Sequence, residues 1–125
     1  MTALQIAALC YAPLATLPTI MQIGLAAGAP WGRYTVGGRF AGRLPPAWRA
    51  LALVQAALLV AMATAVLTRG GLLALGWPAW TFWVTLGLTA LTCLGNIASP
   101  SAPERRLWGP VTALMLTAAL LCAVL

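Results

Sequence analysis

The sequence predicts an all-α integral membrane protein, a four-helix bundle with both termini on the outer side of the membrane. Three observations predict this fold. The 125-residue chain is 62% hydrophobic and only 6% charged, whereas soluble domains carry about 25% charged residues. It contains four long apolar stretches, and its basic residues fall almost entirely in two of the three segments between them. A soluble protein of this composition would expose large apolar patches and aggregate, so we expect one membrane domain.

The four apolar stretches each approach the roughly 20 residues that a membrane-spanning helix requires. Three connections separate them. The first is long and rich in arginine, the second contains turn-forming residues, and the third is short and contains Glu104. The predicted spans are residues 3–27, 50–67, 77–96 and 107–125.

The arginines predict the orientation. Six of them lie in the first and third connections, against one, Arg69, in the second. Basic residues favour the cytoplasmic side of a membrane, so the first and third connections are expected there and both termini outside. All seven basic residues are arginine in a chain rich in Ala and Leu, which suggests a GC-rich bacterial genome. The expected location is therefore the bacterial cytoplasmic (inner) membrane, as a multi-pass protein.

The first connection, "GAPWGRYTVGGRFAGRLPPAWR" (residues 28–49), concentrates glycine, proline, aromatic and basic residues. It lacks the lysine of a phosphate-binding loop and the G-x-G-x-x-G of a dinucleotide site, and it is not repeated, so nucleic acid is not an expected partner. Two interpretations remain open: an orienting loop without a ligand, or a binding site for lipid or a protein partner. In the second, Arg33, Arg39 and Arg43 bind the phosphates of anionic lipids, because paired arginine donors suit phosphate.

The spans hold few polar groups, and they contain no acidic residue, no histidine and no basic residue. No catalytic residue, metal site or cofactor is therefore predicted, and an enzyme is the less favoured reading because most membrane enzymes need a base, a nucleophile or a metal. Glu104, the only acid, is expected to form an ion pair with the neighbouring Arg105 and Arg106. The polar residues that the spans do contain are scattered threonines together with Gln5, Tyr11, Gln22, Gln55 and Asn96.

Small residues indicate where helices meet. Gly24 and Gly28 form a GxxxG pattern, "GLAAG", near the end of the first span. Small residues at this spacing let helix backbones approach closely in lipid. We therefore expect Gly24 and Gly28 to serve helix packing within the bundle.

The segment "GAPWGRYTVGGRFAGRLPPAWR", followed by "NIASPSAPERRLWGPV" before the last span, resembles a group of uncharacterised small four-span bacterial membrane proteins. The resemblance implies the same four-helix arrangement and no activity.

Three functional hypotheses follow from the sequence. The first is a non-enzymatic inner-membrane protein, a structural or accessory subunit or a lipid-interacting bundle with a basic cytoplasmic loop, and it predicts a dry bundle. The second is an oligomeric small-molecule carrier or channel lined by Thr, Gln and Asn. The third, the weakest, is a lipid-modifying membrane enzyme. The expected partners are anionic membrane lipids, together with a membrane protein or further copies of the chain.

Overall fold

The computed structural model describes residues 1–125 and confirms an all-helical chain with four helices, each long and apolar enough to cross a membrane. Two short 3₁₀ turns, Gly32–Tyr34 and Val36–Gly38, shape the first connection. The orientation of the termini stays a prediction. The helices are α1 (Ala3–Ala27), α2 (Pro46–Arg69), α3 (Ala79–Ile97) and α4 (Ala102–Val124).

Local capping explains the helix boundaries. Helix α1 has a capping box, in which the Thr2 hydroxyl accepts from the Gln5 backbone N–H and the Gln5 side chain accepts from that of Thr2. It ends at Gly28, whose φ of 99° lies in the left-handed region that suits glycine. Helix α4 begins at Ala102, five residues before the predicted span, because Ser101 caps it by accepting from the Glu104 N–H.

Each helix contacts the next around the bundle, in the order α1, α2, α3, α4, and α4 closes the ring against α1. Contact between α2 and α3 is the sparsest of the four neighbouring pairs. The first and third connections meet at one end of the bundle, which we call the loop end and which holds six of the seven arginines. The opposite end holds Arg69 and residues 70–78.

The core has two parts. The larger cluster fills the half of the bundle near the opposite end, where small side chains surround Tyr11 and Phe82. The smaller one lies at the loop end and holds Leu44 of the first connection against α1, α2 and α4. Many large apolar side chains, such as Leu91 at 67% exposure, face outward, as expected for helices surrounded by lipid.

Gly24 and Gly28 have neighbours other than the predicted helix. A Cβ at Gly24 would lie 2.1 Å from a ring atom of Trp31, and one at Gly28 would lie 2.6 Å from the Arg43 guanidinium. Both contacts come from the first connection, which folds back on the end of α1. The glycines therefore accommodate loop side chains, because the chain reverses direction directly after Gly28.

Candidate functional site

A cavity of about 410 Å³ lies in the loop-end half of the bundle and is lined by all four helices and the first connection. The lining side chains of α1 and α4 are all buried, whereas Gln55 and Leu58 of α2 and Thr92 of α3 are exposed. The closed wall is therefore formed by α1 and α4, and the cavity opens sideways between α2 and α3. This opening coincides with the sparsest helix contact of the bundle.

The wall of the cavity combines apolar side chains with neutral polar groups. Asn96 donates to the Thr112 hydroxyl at 3.3 Å, and that hydroxyl donates to the Trp108 carbonyl at 2.6 Å. The Gln22 side chain is 91% buried at the cavity wall, since its exposed fraction is 9%. Its amide makes no hydrogen bond to the protein and is not among the fully enclosed unpartnered atoms, so it borders the cavity.

One hydrogen bond across the bundle marks the inner limit of the cavity. Thr89 of α3 lines the cavity, and its hydroxyl lies 2.7 Å from that of Tyr11 on α1. The Thr89 hydroxyl also donates to the Thr85 carbonyl at 2.7 Å, so Tyr11 is the donor in the pair. Beyond this bond the larger core cluster is packed, and the cavity does not continue to the opposite end.

The first connection covers the loop end of the cavity with Tyr34, Thr35 and Val36. Val36 and the two glycines after it have φ values of 51°, 63° and 76°. In this conformation the Gly37 N–H donates to Glu104 Oε2 at 2.9 Å. The connection is held to α4 a second time by the Ser101 hydroxyl, which donates to the carbonyl of Arg33.

Glu104 is buried and borders the cavity, and the predicted ion pair with Arg105 and Arg106 is wrong. Its Oε2 atom accepts from the Gly37 N–H and from the Ser99 hydroxyl, both at 2.9 Å. Arg105 donates instead to the Ser99 carbonyl at 2.8 Å. The reason is that α4 starts before these residues, so its first turn directs Glu104 inward and leaves both arginines exposed.

Trp108 contributes the one fully enclosed side-chain polar atom that lacks a partner. Its side chain lines the cavity with 7% exposure, and its indole Nε1–H donates to no protein group. A buried donor without an acceptor costs about 1–3 kcal/mol. Because Nε1 is fully enclosed, this donor lies within the packing behind the cavity wall and is not offered to a ligand in the cavity.

Arg33, Arg39 and Arg43 are all exposed at the loop end, and each has a different neighbour. The Arg33 guanidinium lies over the Tyr34 ring at 5.3 Å, and that of Arg39 over the ring of the next residue at the same distance. Arg43 lies beside Gly28. The three share an end of the bundle without sharing a partner, and no carboxylate neutralises them.

The chain matches no protein-family model, no curated protein and no solved structure. The resemblance to small four-span bacterial membrane proteins stays a prediction. Function has to be argued from the cavity and from the charges around it.

The polar residues of the spans were identified from the sequence, but they were placed together only as the lining of an oligomeric channel and not as a cavity within one chain. Gln22, Gln55 and Asn96 all lie in the loop-end halves of their helices, and all three line the cavity. Their location in the halves that adjoin the first and third connections was a usable signal, because antiparallel helices bring these halves together at one end of the bundle. No such signal in the sequence pointed to Glu104, because its position at the cavity depends on where α4 begins.

Proposed function

We propose that the protein is a non-enzymatic, lipid-interacting bundle of the bacterial inner membrane that holds part of one lipid in its cavity. The observation that carries this proposal is the sideways opening between α2 and α3. Both helices are apolar and long enough to span a bilayer, so a molecule that enters between them comes from the hydrocarbon region. A lipid is the most abundant molecule that can approach from there.

The chemistry of the cavity suits one amphipathic molecule. Leu58, Leu59 and Met62 of α2 provide apolar wall on one side, and the polar groups other than those of α3 lie toward the loop end. Ligand sites commonly measure about 300–1,000 Å³, and a cavity near 410 Å³ accepts one chain or one headgroup, not a whole phospholipid. We infer from this cavity that the bundle is not dry, although the first functional hypothesis predicted a dry one.

Arg33, Arg39 and Arg43 support the same proposal from outside the cavity. They are exposed at the end where the cavity polar groups lie. Each arginine near an anionic membrane surface contributes about 1 kcal/mol to attraction. Lipid phosphates at this level are their proposed partners, with the cytoplasmic side as the proposed location of the loop end.

The test of the cavity is a pair of tryptophan substitutions on α3. Thr92→Trp places a large ring at the opening, whereas Leu91→Trp places it on a surface that does not line the cavity. We expect native mass spectrometry of Thr92→Trp to show clear loss of retained phospholipid, with Leu91→Trp equal to wild type. Equal retention in the two variants would refute lipid binding in the cavity.

The test of the arginines replaces all three by glutamine. The triple variant should retain less phosphatidylglycerol than wild type, and Arg69→Gln at the opposite end serves as the control. Arg69 donates to the Cys122 carbonyl at 3.3 Å, so the unfolding temperature of this control must be recorded beside its lipid content. Equal retention in both variants, with orientation verified, would leave the three arginines as an orientation signal alone.

A second candidate is an oligomeric carrier. It is favoured by Gln55 and Thr92, which are polar and exposed on faces that lipid would otherwise cover. Assembly through α2 and α3 would shield them. Native mass spectrometry reports the number of chains in the same experiment, and a monomer would rule out this candidate.

A further inference from the structure

The cavity contains one charged group, the carboxylate of Glu104. All other lining side chains are of uncharged residue types. Glu104 is also buried, because only 9% of its surface is exposed. An ionised carboxylate in such a place is costly unless other groups compensate its charge. The groups around Glu104 must therefore compensate its charge.

The protein compensates only one of the two carboxylate oxygens. Oε2 accepts from the Gly37 N–H and the Ser99 hydroxyl. Oε1 has no hydrogen-bond partner, yet it is not a fully enclosed atom, because Trp108 Nε1 is the only enclosed side-chain polar atom without a partner. Since Glu104 lines the cavity, we infer that Oε1 opens to it.

No arginine supplies the missing positive charge. Arg105, the next residue, donates to the Ser99 carbonyl, and the Arg33 guanidinium lies over Tyr34. The two donors on Oε2 are neutral groups. The start of α4 adds a favourable dipole, but Oε1 still lacks a direct partner.

Aromatic rings border the same space. Tyr34, Trp48 and Trp108 line the cavity together with Glu104. The faces of such rings attract ammonium groups, most strongly where water is excluded. A cavity whose lining combines one carboxylate with aromatic side chains suits an organic cation better than it suits an anion or a neutral polar group.

We propose that the cavity selects molecules in which an ammonium group is joined to an apolar tail, with Glu104 as the counter-ion. The ammonium group binds Oε1 at the loop end, and the tail leaves through the opening between α2 and α3. This inference rests on the proposed function, because it assigns the headgroup chemistry of the same cavity. The ammonium group can belong to a phospholipid such as phosphatidylethanolamine or to a free cationic amphiphile.

The test compares two probes of equal tail length, dodecylammonium and dodecanol, bound to the purified protein in a non-ionic detergent. We expect wild type to bind dodecylammonium about tenfold more tightly, the usual order for one charge-assisted hydrogen bond. Glu104→Gln should abolish this preference. The glutamine oxygen can still accept from Gly37 and Ser99, so the unfolding temperature should change little.

The outcomes separate the two proposals. Equal binding of both probes to wild type would overturn the ammonium selectivity, and this comparison holds even if Glu104→Gln fails to fold. The lipid proposal would survive that result if phospholipid were still retained and Thr92→Trp still displaced it. A preference for dodecylammonium that persists in a folded Glu104→Gln would refute Glu104 as the counter-ion.

The source of the ammonium group is identified by the lipid that the protein retains. Retention of phosphatidylethanolamine above phosphatidylglycerol would identify a lipid as the source. Equal retention of the two lipids by a protein that binds dodecylammonium would identify a free amphiphile.

Discussion

The hydrogen bond between Tyr11 and Thr89 should contribute measurably to stability, because both side chains are at most 1% exposed. Tyr11→Phe removes the hydroxyl that donates to Thr89, while the Thr89 hydroxyl keeps its own bond to the Thr85 carbonyl. This variant should lower the free energy of unfolding by about 1 kcal/mol. Thr89→Val leaves the tyrosine hydroxyl buried without an acceptor, and should cost about 1–3 kcal/mol. In the double variant both partners are absent, so its cost should be less than the sum.

The assay is a double-mutant cycle by reversible unfolding in mixed micelles. Hydrogen bonds between membrane helices show coupling of about 0.6 kcal/mol on average and up to about 1.7 kcal/mol. This bond is short, 2.7 Å, and lies beside the apolar cluster, so we expect about 1 kcal/mol, in the upper part of that range. Coupling below about 0.5 kcal/mol, within which independent sites add, would refute the bond as a contributor to the stability of the bundle.

Three further predictions concern the first connection and the orientation. Gly32→Ala should open the connection and speed tryptic cleavage at its arginines, because the added Cβ would clash with a backbone oxygen of the facing segment. Gly42→Ala is the control and should leave cleavage unchanged, because no atom lies within 4 Å of its added Cβ. Val36→Gly relieves a branched side chain held at φ 51° and should stabilise the fold by up to about 1 kcal/mol; a lower unfolding temperature would contradict this. Reporter fusions at Gly38 should be cytoplasmic and those after Leu73 periplasmic, and the reverse would disprove the orientation.

The number of helices and the position of the arginines were predictable because both depend on local sequence. An apolar run of sufficient length forms a helix in a membrane wherever it lies, and the predicted first span, residues 3–27, matches α1. Six arginines lie at one end because the helices alternate in direction. Neither conclusion needed knowledge of how the helices pack.

Features that depend on packing were predicted less well. The burial of Glu104 depends on which residue caps α4. With Ser101 as the cap, Glu104 lies in the first turn of the helix and is buried, whereas a later cap would leave it in an exposed loop. The GxxxG pattern led us to expect packing between helices at Gly24 and Gly28, whereas their close neighbours are side chains of the first connection. Only the path of the first connection shows that Trp31 and Arg43 occupy those positions.

The cavity ends inside the bundle, and this bears on whether the proposed function is to hold a ligand or to conduct one. Passage through a single chain would require the larger core cluster to open, and Tyr11, Val66 and Phe82 in it are all at most 2% exposed. The opening between α2 and α3 offers entry and exit through the same side, with no need to disturb that cluster. On the proposed function, a ligand that enters from the bilayer returns to it by the same route. This geometry favours a protein that captures a lipid or presents it to a partner over one that moves it through its own axis.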